Sequence, residues 1–354
     1  MNILKTRLLA YSDSSFTNPH EITRPELPKN RQGQYSHMGA QFWGFETARH
    51  IGTRIDNARP GFHYNPDAEH YLLLGLKQSG VISQIDISTR WFTGNHVQAV
   101  TIELIYQGRR RTIVERKSLN PDANHSFPIE PSAADECLIR CHQEGGIASI
   151  KLMGEDLDEP DTRINLLSEA TISRVSNQHY GHPGDAVKGE RLESHMVGWE
   201  SARTGFGEQA MFAFKNTAAV DEVIIDTYLH RLNAPLGCYL FGLPSSEDFQ
   251  KAVSQLPKWR ITFDDGSQII PENFQDYMSK QLYRPQLKEK STGFHIDLSV
   301  DSSCWLALIP FGELRPDTYH RFSISANVGL SHLLYLHYPN GGIHGIKAFG
   351  SYLN

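Results

Sequence analysis

The chain repeats itself, and that limits what it can fold into more than any other feature of its sequence. Gly44-Phe45-Glu46-Thr47-Ala48-Arg49 returns as Gly198-Trp199-Glu200-Ser201-Ala202-Arg203, 154 residues later. Ile87-Ser88-Thr89, running to Asn95, returns as Ile225-Asp226-Thr227, running to Asn233, at an offset of 138. Leu119-Asn120-Pro121-Asp122 with His125 and Phe127 matches Leu314-Arg315-Pro316-Asp317 with His320 and Phe322, at 195. Gly145-Gly146-Ile147 matches Gly341-Gly342-Ile343 at 196. Four blocks in one order make two copies of one module. The join falls near Asp158-Glu159-Pro160-Asp161, which gives domains 1–158 and 159–354.

The offsets also locate insertions. The fall from 154 to 138 leaves about sixteen extra residues in copy one, between Arg49 and Ser88. The rise from 138 to 195 leaves 57 extra in copy two, between Asn233 and Pro316, which places an insertion at about 244–303. Ser245-Ser246-Glu247-Asp248-Phe249 reads as a helix N-cap followed by acids, and Pro271 to Met278 reads as further helix. A partly helical insertion is expected there.

The common module reads as β. Val81-Ile82-Ser83-Gln84-Ile85-Asp86-Ile87 alternates apolar and polar residues, and Gly, Pro and Asn punctuate such runs. There is no strand–helix alternation of the kind a doubly wound sheet needs. The expected architecture is all-β, two tandem jelly-roll β-sandwich domains. A formal charge of −6 speaks against a nucleic-acid partner held by a general positive field. No apolar run is long enough to span a bilayer, and the first ten residues are too broken for a secretory signal, so the expected location is cytoplasmic. Cys137 and Cys141 lie near His142, but i and i+4 share one face of a strand, and core thiols are the stronger reading. His125 and His320 occupy matching positions, as a shared structural hydrogen bond would require. Arg109-Arg110-Arg111 beside Gly108 reads as a solvated hairpin.

The repeated blocks resemble the allantoicase family, whose two halves each carry a Gly-Trp-Glu-Thr-Arg/Lys-Arg block, an Asp-Thr-x-x-Phe-x-Gly-Asn block and an Asp-Gly-Gly turn. Here these are Gly44 to Arg49 and Gly198 to Arg203, Ser88 to Asn95 and Asp226 to Asn233, and Gln143-Glu144-Gly145-Gly146 and Pro339-Asn340-Gly341-Gly342. The opening Tyr11-Ser12-Asp13-Ser14-Ser15-Phe16 is similar to the family's start. The resemblance covers nearly the whole chain outside the 57-residue insertion. It implies galactose-binding-like jelly rolls and a hydrolase that turns allantoate into ureidoglycolate and urea, in purine degradation. It also implies a small ureido substrate and a homo-oligomer. Ala48 and Ala202 stand where the family has one of two consecutive cations, which points toward a related ureido or guanidino acid. The alternative is a non-catalytic tandem jelly-roll protein that binds a small ligand or carbohydrate.

On that reading the candidate catalytic residues are Glu46, Glu200 and His96. Either glutamate could act as general acid toward a ureido nitrogen or serve as a structural carboxylate in a turn. His96 is a candidate general base. Arg49 and Arg203 are candidates for holding the substrate carboxylate, or for pairing with the neighbouring glutamate. Asn95 and Asn233 could bind a ureido group, although Gly94-Asn95 is also a turn signal. Trp199 is carried over as a substrate contact. No cofactor is assigned; a divalent metal is left open, with no ligand set. Copy one is the better candidate for chemistry: it keeps Gly94 and His96, where copy two has Leu232, expected to fill the space of a ligand.

Overall fold

The computed structural model describes all residues except 1, 16, 37–38, 57–58, 66–67, 158–162, 177, 189–190, 192–197, 203–206, 270–292, 300–303 and 354. It divides into two compact units, Met1–Asp161 and Thr162–Asn354. The expected join at 158–159 lies outside the described residues. Among the described residues no helix is long and apolar enough to cross a membrane.

The first unit is built on two long bent strands, Tyr71–Ser88 and Asn124–His142. They pair antiparallel, with register shifts between Pro128 and Ser132 and between Ala134 and Glu136. The bend lets one strand serve both layers of a sandwich. The early half of Tyr71–Ser88 takes Thr6–Tyr11 as neighbour, and its later half takes Ser149–Asp156. Asn124–His142 leads on through Ala99–Tyr106 to Arg109–Ser118. Leu72 and Leu74 from one half and Ile82, Ile85 and Ile87 from the other meet in one apolar cluster. Alternation accounts for Leu72 with Leu74 and for Ile85 with Ile87, since side chains two apart share a face, and the register shift between Ile82 and Gln84 brings Ile82 to the same cluster. Cys137 and Cys141 belong to the same cluster and are free thiols; burial pushes Cys141 up to about 12.

The second unit repeats the plan around Glu208–Asp226, which pairs with Thr171–Val175, Gly345–Tyr352, Leu330–Tyr338 and Tyr319–Ser323. Both units are all-β jelly-roll sandwiches, each with its own core. The matched histidines make the matched bond: Nε2 of His125 accepts from Asn120 N at 3.1 Å, and Nε2 of His320 accepts from Arg315 N at 2.9 Å. The triple arginine lies on an exposed hairpin turning at Gly108, whose φ is 74°.

The insertions are mostly β. Copy one's extra residues form the hairpin Ile51–Asp56 with Arg59–Tyr64. In copy two a six-residue helix, Phe249–Ser254, is capped by Asp248, which accepts from Lys251 N at 2.7 Å. Phe249 stacks on His332, with ring centroids 4.4 Å apart. The rest of the described insertion is a three-stranded sheet of Lys258–Phe263, Gln268–Ile269 and Phe294–Ser299. Trp259, Ile261 and Phe263 alternate inward and pack on Tyr239, Phe241 and Leu334 of the sandwich. The helix expected at Pro271 to Met278 lies outside the described residues.

Candidate functional site

Each unit fastens the same three segments together at one end of its sandwich. In the first, Phe45–Glu46 pairs with Gly146–Ile147. Thr47 N donates to Gly145 O and Gly145 N donates back to Thr47 Oγ1. Gly146 N donates to Asn95 O at 2.7 Å. In the second, Trp199–Glu200 pairs with Gly342–Ile343, Ser201 exchanges the equivalent bonds with Gly341, and Gly342 N donates to Asn233 O at 2.9 Å. The glycine that opens each block permits this closeness. Gly44 has φ 98° and Gly198 has φ 127°, and a Cβ on either would come within 2.5 Å of the facing carbonyl, that of Ile147 or Ile343. No other residue is accommodated there without strain.

This scaffold brings a carboxylate and an amide together in both copies. Asn95 Nδ2 donates to Glu46 Oε1 at 2.6 Å, and Asn233 Nδ2 donates to Glu200 Oε1 at 2.7 Å. The asparagines therefore position the glutamates, a role neither the turn nor the ureido reading gave them. Ser15 Oγ lies 3.4 Å from the second oxygen of Glu46. Burial raises the Glu46 carboxyl above its ordinary value, and the bonds from Asn95 and Ser15 oppose that rise without cancelling it. A carboxyl so placed holds its proton closer to neutrality, as a general acid requires.

The other predicted residues fare unevenly. Arg49 is exposed and pairs with no carboxylate among the described residues, so it is not the ion-pair partner of Glu46. Arg203 lies outside the described residues. His96 is half-buried, bridged through its backbone to Gly146, and its Nδ1 is buried without a hydrogen-bond partner. Among the described residues no hydrogen bond joins His96 to Glu46. Trp199 is 1% exposed and packs on Tyr335 and His337. Its indole belongs to the core of the second unit and offers no face to a ligand. Leu232 is 96% exposed and fills no ligand space, which corrects the expectation that it would block copy two.

The structure also gathers titratable groups around the Glu46 segment that sequence reasoning did not connect. Asp13 Oδ2 accepts from Ala48 N at 3.0 Å and lies 3.0 Å from His50 Nε2. Glu144 Oε1 accepts from His50 N at 2.6 Å and lies 3.3 Å from His50 Nδ1. The rings of His50 and His70 are 4.8 Å apart, and Tyr64 Oη is 3.0 Å from His70 Nε2. Burial lowers the His70 imidazole from its usual value and His50 adds to the effect, against Asp13 and Glu144. Among the described residues, Asp13, His50 and His70 have metal-ligand spacing. His50 and His70 stand twenty positions apart with the hairpin between them, so no short motif announces them. The available signal was position alone: His50 follows the repeated block, and His70 opens a long strand.

The second unit differs at this place. Tyr71 N donates to Ser12 Oγ, and Gln209 N donates to Ser176 Oγ, which makes His70 and Glu208 counterparts. Glu208 is 1% exposed and accepts from Ser176 Oγ at 2.5 Å. Burial pushes its carboxyl up to about 7.

Residues 2–157 and 164–353 each match the allantoicase repeat. A probable allantoicase of Pseudomonas aeruginosa is 21% identical over 98% of this chain and 93% of its own. The allantoicase of Saccharomyces cerevisiae is 22% identical over 97% and 90%. The crystal structure of the Saccharomyces cerevisiae allantoicase aligns over 98% of this chain and 90% of its own at 19% identity, with a TM-score of 0.35. At that score the fold stands on the strand order and cores described above.

Proposed function

The chain belongs to the allantoicase family, and from that premise we propose that it is a hydrolase converting allantoate and water to ureidoglycolate and urea. The observation that carries the reading is the Glu46–Asn95 pair, built within the family's own blocks and holding a carboxyl whose pKa burial has raised. Allantoate has one carbon bearing a carboxylate and two ureido groups. Breaking one C–N bond expels urea, whose nitrogen must gain a proton as it leaves. Glu46 supplies that proton, and Asn95 fixes the carboxyl's direction. Water provides the oxygen that the carbon gains, and its spare proton restores Glu46. Arg49, exposed and without an ion-pair partner among the described residues, is available to clamp the substrate carboxylate in bidentate fashion. The test is urea release from allantoate, compared with a panel of ureido and guanidino acids.

Self-association is part of the same proposal. The hairpin Ile51–Tyr64 pairs Ile51 with Tyr64 and Thr53 with Phe62. One face therefore presents Ile51, Ile55, Phe62 and Tyr64 together, with Ile55 and Phe62 about three-quarters exposed. A two-stranded ribbon with an uncovered apolar face is marginal by itself. Light scattering is expected to give a mass at least twice 40.0 kDa. A monomer across a wide concentration range contradicts this.

A further inference from the structure

We propose that Asp13, His50 and His70 form a binding site for one divalent cation of the zinc and cobalt class. The site stands on its own geometry and rests on the hydrolase reading only for its use. One donor atom from each residue lies within 4.8 Å of the others. Ligands held at roughly 2.0–2.2 Å from a shared ion fit such a spacing after small side-chain rotations. Two imidazoles and a carboxylate suit a borderline first-row metal better than calcium or magnesium, which take oxygen ligands. Three protein ligands leave a position for water, and a bound cation would lower that water's pKa.

The surroundings are those of a ligand set. His50 has Nε2 3.0 Å from Asp13 Oδ2, while its Nδ1 lies 3.3 Å from Glu144 Oε1 and is buried with no hydrogen-bond partner among the described residues. His70 has Nε2 against the Tyr64 hydroxyl, while its Nδ1 is buried with no hydrogen-bond partner among the described residues. A buried ring nitrogen without a partner is uncommon in a folded protein, and a lone pair kept for a cation accounts for it. Asp13 is fixed by the amide of Ala48. Asp13 and His70 thus each have an outer partner that sets orientation, and His50 is held through its backbone N–H, which donates to Glu144. The hairpin explains how the set assembles. Asn65 N donates to His50 O at 3.0 Å at the foot of the ribbon, returning the chain to His50 shortly before His70. Copy two lacks the hairpin residues in its sequence and has Glu208 in place of His70, so among the described residues the second unit holds no equivalent set.

The test uses the full chain, stripped with a chelator and titrated with Co²⁺ alone, followed by calorimetry and visible absorption. One equivalent per chain is expected, with the ligand-field bands of a nitrogen-containing site. His70→Ala and Asp13→Asn should each weaken binding by more than about 100-fold, and Tyr64→Phe by roughly 10-fold, as for an outer partner. His63→Ala, on the same hairpin, should bind as the wild type does. Asp13→Asn keeps an oxygen for Ala48 N, so its fold, checked by circular dichroism, should survive. No saturable binding by the wild type, or equal binding by a folded His70→Ala/Asp13→Asn double variant, overturns the proposal. Because binding is read without substrate, a chain that binds cobalt but releases no urea sinks the hydrolase reading and leaves the site. A chain that releases urea but binds no cation does the reverse.

Discussion

Glu46→Gln is expected to cut urea release by roughly two to four powers of ten, the usual loss when a general acid is removed, with little change in KM. Glutamine keeps the shape of the side chain and an oxygen for Asn95 Nδ2, which donates to Glu46 at 2.6 Å. It cannot give a proton to the departing nitrogen. The pH profile carries a second mark of the same role. Burial raises the Glu46 carboxyl, so the protonated form persists to higher pH than in an exposed glutamate. The rate should fall as pH rises through that raised value, and the residual activity of the variant should lack that limb. Glu200→Gln is the matched control. It removes the same pair in the second unit, bonded to Asn233 at 2.7 Å, where Glu208 occupies the place of His70, and it should lose less than about tenfold. Loss confined to Glu200→Gln would move the chemistry to the second unit. Full activity in both variants would make the repeated glutamate structural.

Glu208→Gln should flatten the pH dependence of stability, by on the order of 3 kcal/mol at most between pH 5 and 8. Glu208 is buried and its carboxyl sits at about 7, against 4.5 for the unperturbed group. Between those values the folded chain holds a proton that the unfolded chain has released. Stability therefore falls as pH rises from about 4.5 to about 7 and levels off above. The variant keeps an acceptor for Ser176 and loses the titration. His337 acts in the opposite sense: burial lowers it to about 3, so unfolding takes up a proton below its ordinary value and weakens the fold in acid. Taking wild type minus variant at each pH removes that contribution. Urea unfolding followed by tryptophan fluorescence measures the difference. Parallel stability curves for the two proteins would contradict a protonated, buried Glu208.

What the sequence disclosed follows from what repeats record. Matching blocks persist where two backbones need the same register, so the glycine that opens each Glu block, the Asn that ends the second and the paired histidines all marked real fastenings. Their partners were harder to read. Asn95 reaches Glu46 across 49 positions and Asn233 reaches Glu200 across 33, distances over which local turn chemistry says nothing. Trp199 looked available because it is aromatic and sits beside Glu200. Alternation along the short strand sends it inward while Glu200 stays half-buried. Leu232 looked obstructive because of its size, but its side chain stands in solvent. In the second insertion Ser245 to Phe249 signals a helix start, although the cap is the acid Asp248 and not a serine before it, and Trp259-Arg260-Ile261-Thr262-Phe263, an alternating run, carries the signal of the strand found there. The Asp13, His50 and His70 group needed the hairpin to close before its members became neighbours.

The most direct measurement is the stoichiometry of products when the purified chain is incubated with allantoate and followed by nuclear magnetic resonance. One urea and one ureidoglycolate are expected for each allantoate consumed, at a rate that the Glu46→Gln protein cannot sustain. Allantoate left intact, with saturable binding and no urea, would contradict this and mark the chain as a binding protein built on the same two sandwiches.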